Sequence, residues 1–439
     1  MIYFLYSLLL GAGLLFSLPY WLYQIARRGK YRKGFAARMG KVPPHLLDAG
    51  SAGRTVWIHA VSVGEILAVS GLIERMHRSF PQHRIVVSTT TDTGQELARK
   101  RFGEADVFYF PMDFAFAIRP YLNVLKPELV ILAETEFWPN FLRLVHASGA
   151  KIAVVNARIS DRSWPNYRRF RWALRRMLAH VDLFLAQTEE DGQRLESIGA
   201  PPQRVHVVGN LKFDSTPPST PPILESLRRA LDAESAGPVI VCGSTVEDEE
   251  PALLKAFENL RVSHPRAAML LAPRHPERFE TVAKLLKDLT MPFSCRSLWA
   301  GEPLAGGVLL VDTIGELSAL YALGDLAFVG GSLVPRGGHN IIEPAQHGVA
   351  IVTGSHYENF RDIVNLFRAR DAVRVVTLAE LPLTLMHLLD HDAERRALGQ
   401  RAAETMRTQT GATSRTLSAL AALLQDASDL VSVQAAHTD

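Results

Sequence analysis

The run Gly330-Gly331-Ser332-Leu333-Val334-Pro335-Arg336-Gly337-Gly338-His339-Asn340-Ile341-Ile342-Glu343-Pro344 carries the densest concentration of chemically capable residues in this chain. It follows an apolar strand pattern, Asp325–Val329. It precedes a short helical pattern, Glu343–Gly348, and a further strand pattern, Val349–Thr353. Glycines at a strand end let backbone N–H groups approach a ligand, and the N-terminus of the next helix favours an anion. Asn340 and Glu343 fall where that helix begins, and a carboxylate there is a natural acceptor for ribose hydroxyls. A tight turn explains the glycines alone equally well. With His339, Asn340, Glu343 and Pro344 added, the run reads as a nucleotide-sugar site.

Six other segments place reactive side chains at strand ends. In His59-Ala60-Val61-Ser62-Val63-Gly64-Glu65, the glutamate falls in a first helical turn. The helix dipole there is expected to keep it ionised, as a general base requires, although a capping carboxylate reads the same way. Ala133-Glu134-Thr135-Glu136-Phe137-Trp138-Pro139-Asn140 sets two acids at a strand's carboxyl end. Asn156-Ala157-Arg158 leads into a basic, aromatic stretch that contains Arg168, Arg169, Arg171, Arg175 and Arg176. Nucleic acid is one reading of that stretch and a solvated helix face another. A surface for anionic lipid is preferred. Gly209-Asn210-Leu211-Lys212-Phe213-Asp214 offers a lysine to an anionic donor. Arg274 and His275 follow another strand, and Arg274 suits a phosphate. A helix beginning at Gly315, flanked by Ile314 and Glu316, would present free N–H groups to the same ligand.

The elements that must hold these residues alternate between apolar β-type runs and helical patterns in both halves of the chain. In the first half the strands are expected at Thr55–Ala60, Arg84–Thr89, Val107–Phe110, Leu129–Ala133, Lys151–Asn156, Leu183–Gln187 and Val205–Val208. In the second they are expected at Val239–Gly243, Ala268–Ala272, Val308–Val311, Leu326–Val329, Ala350–Thr353 and Arg374–Val376. Such alternation predicts an α/β fold with two doubly wound, Rossmann-like domains facing across a cleft. Residues 27–214 are expected to form the first domain and the Pro/Ser/Thr-rich segment 215–222 a linker. Residues 223–426 form the second, nucleotide-binding domain, closed by a final helical segment 392–426, and 427–439 a frayed tail. Neither G-x-G-x-x-G nor G-x-x-x-x-G-K-[ST] follows the first strand of either domain, so dinucleotide dehydrogenases and P-loop NTPases fit poorly.

Residues 1–26 are expected to anchor the chain in a membrane. No charge appears before Arg27, and Arg27, Arg28, Lys30, Arg32, Lys33 and Arg38 follow. Basic residues after the apolar segment place the body of the protein on the cytoplasmic side, and they argue against a cleaved signal peptide. Pro19 and the glycines leave open an embedded rather than a spanning helix. Across all 439 residues the net charge of +3 is too small to imply a nucleic-acid partner, and a hydrophobic content of 47% supports large cores. Two distant cysteines, Cys242 and Cys295, suit a reducing compartment, and no metal-ligand cluster or cofactor motif is evident.

The order of these motifs resembles that of the 3-deoxy-D-manno-octulosonic acid (Kdo) transferases of lipopolysaccharide biosynthesis. Ser62-Val63-Gly64-Glu65, Glu134-Thr135-Glu136-Phe137-Trp138-Pro139-Asn140, Asn156-Ala157-Arg158, Gly209–Asp214, Pro273–Phe279 and Gly337-Gly338-His339-Asn340 carry the likeness. The resemblance implies an inverting glycosyltransferase of GT-B architecture at the inner membrane, with CMP-Kdo as donor and a lipid A precursor as acceptor. It makes Glu65 the general base, and it assigns Glu134 and Lys212 to transition-state stabilisation. It maps CMP contacts onto Arg274, His275, Ile314, Gly315, Glu316, Asn340, Ile341, Ile342 and Glu343. Members of the family often carry Pro-Leu where this chain has Ile341-Ile342, and backbone contacts there tolerate the change. Two alternatives remain: a membrane-associated UDP-sugar transferase with a polyprenyl-linked acceptor, and a non-catalytic nucleotide-sugar binding module, against which Glu65 counts.

Overall fold

A computed structural model describes residues 2–28, 34–47, 54–161, 163–214 and 221–436. The chain divides into two compact units, Met1–Ser215 with Thr410–Asp439, and Thr216–Gln409.

The first unit is built on a seven-stranded sheet. Its strands are β1 (Arg54–His59), β2 (His83–Thr89), β3 (Val107–Tyr109), β4 (Pro127–Ala133), β5 (Lys151–Ala157), β6 (Leu183–Ala186) and β7 (Val205–Val207). They run in the order β3-β2-β1-β4-β5-β6-β7, and every pair is parallel. Both faces are covered by helices, which is why β4 reads as an unbroken apolar run, Leu129–Ala133, with no alternation. One face packs Trp57, Phe108, Tyr121, Phe141 and Phe184, all fully buried. Truncating such an aromatic side chain to alanine costs about 3–5 kcal/mol. Successive strands depart in opposite directions from between β1 and β4. The segments leaving those two strands carry Glu65 and Glu134, so both acids arise at the switch point where open α/β sheets bind ligands.

The second unit repeats the plan. Its strands are β8 (Val239–Thr245), β9 (Ala268–Pro273), β10 (Phe293–Cys295), β11 (Val308–Leu310), β12 (Leu326–Val329), β13 (Ala350–Gly354) and β14 (Arg374–Val376), in the order β10-β11-β9-β8-β12-β13-β14. Again the pairing is parallel throughout. The switch point lies between β8 and β12. Strand β10 is not among the expected elements, because it is a three-residue edge strand whose Phe-Ser-Cys sequence has no apolar periodicity.

Three expectations about the chain's organisation change. The segment 392–426 is not one helix closing the second domain. It is two, Asp392–Gln409 and Ala412–Ala436, separated at Gly411 with φ +94°. The second of these belongs to the first unit, where Ala412, Leu420 and Leu424 join the core with Val69, Leu72 and Ile73. The expected frayed tail is helical as far as Ala436, and residues 437–439 lie outside the described residues. Within the expected linker, residues 215–220 also lie outside them, while Pro222 already begins the helix Pro222–Ala233.

The N-terminal segment forms the helix Ile2–Arg28. Its start is docked on the first unit: Tyr3 Oη hydrogen-bonds His180 Nε2 at 2.9 Å, and Asn140 Nδ2 donates to Ser7 Oγ at 2.9 Å. Phe4, Leu5, Leu8, Leu9, Leu15 and Phe16 remain exposed on its other side. Among the described residues no helix is long and apolar enough to cross a membrane. The basic residues Lys30, Arg32 and Lys33 lie outside the described residues.

Candidate active site

In the first unit the site is organised around a carboxylate that reaches backwards. The helix Val63–Ser79 begins after Ser62, whose hydroxyl donates to Glu65 Oε1 at 2.9 Å instead of capping the helix. The Val61 N–H donates to Glu65 Oε2 at 2.8 Å. Only 9% of Glu65 is exposed. Burial pushes its pKa up to about 7, against the Val61 hydrogen bond and with the support of the negative charges of Glu134 and Glu136. Desolvation thus outweighs the helix dipole expected to keep Glu65 ionised, and near neutral pH the carboxyl is divided between its protonated and ionised forms. The result is a carboxylate that can take and release a proton at physiological pH.

Glu134 stands immediately beyond β4 with φ +57°, a left-handed conformation that costs a non-glycine residue about 1–2 kcal/mol. Its Oε1 is 3.6 Å from Lys212 Nζ, and both side chains are about a quarter exposed (28% and 24%). Glu136, beside it, has a raised pKa through burial and the charge of Glu134. Lys212 is held there by a buried amide network that links two of the sequence motifs. Gln187 Nε2 donates to Asn156 O at 2.9 Å, and Asn210 Nδ2 donates to Gln187 Oε1 at 2.8 Å. The Leu211 N–H donates to Asn156 Oδ1 at 3.0 Å, and the Lys212 N–H to Asn210 Oδ1 at 2.9 Å. Gln187, the centre of that network, is absent from the sequence motifs. Its signal was its place just beyond the carboxyl end of β6, beside the end of β5 that carries Asn156. His59 is buried and neutral, its pKa pushed down to about 3 by burial, and it stacks on Phe110 at 3.8 Å between ring centroids.

In the second unit the ends of β8, β9 and β12 surround a cavity of about 510 Å³ lined by Val246, Glu247, His275, Arg278, Arg336 and His339 among others. His275 is exposed in that lining, and so is its neighbour Arg274. Burial, with the positive charges of Arg274 and His275, pushes the His339 pKa down to about 4, so this imidazole is neutral at pH 7. Asn340 caps the next turn: its Oδ1 accepts from the Ile342 N–H at 3.2 Å and its Nδ2 donates to Glu343 Oε1 at 3.3 Å. Burial raises the Glu343 pKa, against the Asn340 hydrogen bond and the charge of Arg274.

Several parts of the expected donor site differ. The helix after Asn340 is only Ile342–Gln346, and the side chains of Ile341 and Ile342 lie in the core. The helix expected to begin at Gly315 is only Leu317–Leu320, too short to gather a useful dipole. Ile314 is exposed and Gly315 has φ +90°, while Glu316 is engaged by Arg296 Nη2 at 2.7 Å and by the Thr313 hydroxyl. The N–H groups of Gly331, Ser332 and Leu333, which the glycine run was expected to offer to a ligand, are occupied from within the protein by the carboxylate of Glu249. The neighbouring Glu250, also buried, is paired with Arg278 at 3.0 Å. Neither glutamate carries a motif signature, since Glu247-Asp248-Glu249-Glu250 reads as a solvated helix start.

The five arginines of the basic stretch are exposed on two short helices, Trp164–Arg169 and Arg171–Leu178, together with Phe170 and Trp172. Leu174, Met177 and Leu178 attach the second helix to the core. Among the described residues no group of three or more His, Cys, Asp or Glu could hold a metal ion.

A family-wide sequence profile described as 3-Deoxy-D-manno-octulosonic-acid transferase (kdotransferase) matches residues 33–215. The 3-deoxy-D-manno-octulosonic acid transferase of Haemophilus influenzae is 33% identical over 405 residues, covering 90% of this chain and 92% of its own. That of Bordetella pertussis is 35% identical over 421 residues, covering 91% and 94%. Among solved structures, a glycosyltransferase from Rickettsia africae covers 85% of this chain and 98% of its own, with a TM-score of 0.53 at 15% identity, a likeness of fold.

Proposed function

We propose that this chain, which belongs to the 3-deoxy-D-manno-octulosonic acid (Kdo) transferase family, moves Kdo from CMP-Kdo to a sugar hydroxyl of a lipid A precursor. The observation that carries the catalytic assignment is Glu65, a nearly buried carboxylate with a pKa of about 7, beside Glu134 at the switch point of a parallel sheet. Glu65 takes the proton of the acceptor hydroxyl as its oxygen attacks the anomeric carbon. The bond from that carbon to the phosphate oxygen breaks, and CMP leaves with the electron pair. Attack opposite the leaving group inverts the anomeric carbon. The ammonium of Lys212, steadied by Glu134, is poised to stabilise charge that develops during transfer. Arg274 and Glu343 serve the nucleotide: the guanidinium faces phosphate and the carboxyl accepts from ribose hydroxyls.

The apolar side of the helix Ile2–Arg28 serves as an embedded attachment to the inner membrane, and the arginines of residues 168–176 meet anionic headgroups beside it. Support for this comes from the exposed Phe4, Leu5, Leu8, Leu9, Leu15 and Phe16, and from the exposure of Phe170 and Trp172 among those arginines. Charge paired with apolar side chains in this way suits an interface.

The test is incubation of the full chain with CMP-Kdo, generated in situ, and a tetraacylated lipid A precursor. Product masses increased by whole Kdo units are expected. No mass change, in protein that binds CMP, would overturn the assignment of donor sugar and acceptor.

A further inference from the structure

We propose that Glu249 is a positioning residue of the donor site. It fills the ring of N–H groups presented by the glycine-rich loop, and so holds the loop in the shape that delivers His339 and Asn340 to the nucleotide. The inference rests on the reading that the second unit binds CMP.

Glu249 is fully buried and stands immediately before the helix Glu250–Ser263. Its Oε1 accepts from the N–H groups of Ser332 and Leu333, each at 2.8 Å. Its Oε2 accepts from Gly331 at 2.7 Å and from Val246 at 3.0 Å. Successive N–H groups converging in this manner form a concavity that attracts anions. Here the anion is covalently part of the chain, which leaves the donor phosphate to be met elsewhere, by Arg274.

The loop held by Glu249 is tied to the cavity wall. Gly331 O accepts from the Gly338 N–H at 2.7 Å. Gly331 has φ +66°, and a Cβ there would stand 2.7 Å from the His339 ring, so the imidazole lies directly on this glycine. Ser332 fixes the other side: its O accepts from the His356 N–H at 2.9 Å, and its Oγ accepts from the Gly354 N–H at 2.8 Å. The next residue, Glu250, continues the pattern. It accepts from Arg278 Nε at 3.3 Å and Nη2 at 3.0 Å, and Arg278 lines the same cavity. Two consecutive buried acids thus fasten the loops after β8, β9 and β12 to the start of a single helix.

Glu249→Gln tests the proposal because it preserves shape but turns an amide donor toward N–H donors. Glu249→Asp keeps the charge on a shorter stem. In Glu249→Gln we expect a KM for CMP-Kdo raised at least tenfold and CMP affinity, measured calorimetrically, reduced by a similar factor, with acceptor KM within twofold. Glu249→Asp should recover part of the loss. Hydrogen exchange on the wild type supplies a readout that needs no variant to fold. The amides of Gly331, Ser332 and Leu333 should be protected without CMP and unchanged by it. A folded Glu249→Gln with CMP affinity within twofold of a CMP-binding wild type would overturn this proposal alone. So would loop amides that exchange freely until CMP is added. A wild type that does not bind CMP would overturn both the proposal and the donor reading beneath it.

Discussion

Lys212 Nζ lies 3.6 Å from Glu134 Oε1, and the residue that carries this carboxylate has a left-handed backbone. The pair is too solvated to be a stability device, since such ion pairs contribute about 0–1 kcal/mol. Lys212→Met should therefore leave thermal stability nearly unchanged while lowering turnover by roughly 100-fold, the loss expected when a stabiliser of developing charge is removed. With Lys212 gone, the charge of Glu134 acts on Glu65 uncompensated. The acid limb of the rate profile should then move to higher pH. Turnover and pH profiles of the purified variant check this, and a wild-type profile would remove Lys212 from the site.

Glu65 supplies the second prediction. A base must be unprotonated, so kcat/KM should rise with pH through about 7, where burial has placed this carboxyl. Glu65→Gln should lose at least about 100-fold in turnover with CMP affinity retained. Near-normal turnover would exclude Glu65 as the base.

The same substitution should stabilise the fold at alkaline pH. The folded pKa of Glu65, about 7, lies above its ordinary value of 4.5. Between those values the folded state holds more protons than the unfolded one, so stability falls as pH rises and the full cost is reached above 7. Glutamine carries no such cost. The Tm of Glu65→Gln should exceed that of the wild type at pH 8, and the gap should close as pH falls toward 4.5. A gap independent of pH would show that the buried carboxyl is not the cause.

At the donor site, Arg274→Ala and Glu343→Ala should each weaken CMP binding by about 1–3 kcal/mol, the range for hydrogen bonds to charged groups and for the desolvation left behind. Calorimetric titration of CMP measures it. Unchanged affinity in both variants would move the nucleotide elsewhere.

Deleting residues 1–25 should leave a folded, more soluble protein that binds CMP and keeps some affinity for anionic vesicles through Arg168, Arg169, Arg171, Arg175 and Arg176. Because exposed charge is screened over about 10 Å at 0.1 M salt, that affinity should fall across a salt series. Equal sedimentation with neutral and anionic vesicles would make the arginines an ordinary solvated face.

The sheets were legible because both of their faces are covered. The unbroken apolar runs of β4 (Leu-Val-Ile-Leu-Ala), β8 (Val-Ile-Val-Cys) and β12 (Leu-Ala-Phe-Val) have the pattern of strands buried on both faces. Glu65, Glu134 and Lys212 were legible as strand-end residues. Their electrostatic state was not, because the pKa of Glu65 depends on desolvation and on acids brought close only by the sheet order. Periodicity marks 392–426 as helical but is silent about the break at Gly411 and about which core receives the apolar side of Ala412–Ala436. Glu249 was hidden because a buried acid and a solvated one are written alike, and only its four N–H partners tell them apart.

Asp214 accepts hydrogen bonds from the Gly411 N–H at 2.7 Å and from the Thr413 N–H at 2.5 Å, so the last residues before the second unit grip the first residues after it. In topological terms that unit is an insertion into the other, entered and left at one spot. A fragment cut after Asp214 would lack the helix that carries Leu420 and Leu424 and would expose the apolar surface they cover. A version of the first unit designed to fold on its own should therefore be a spliced chain. Residues up to Asp214 are rejoined to Gly411 by a short bridge, with the intervening unit expressed separately.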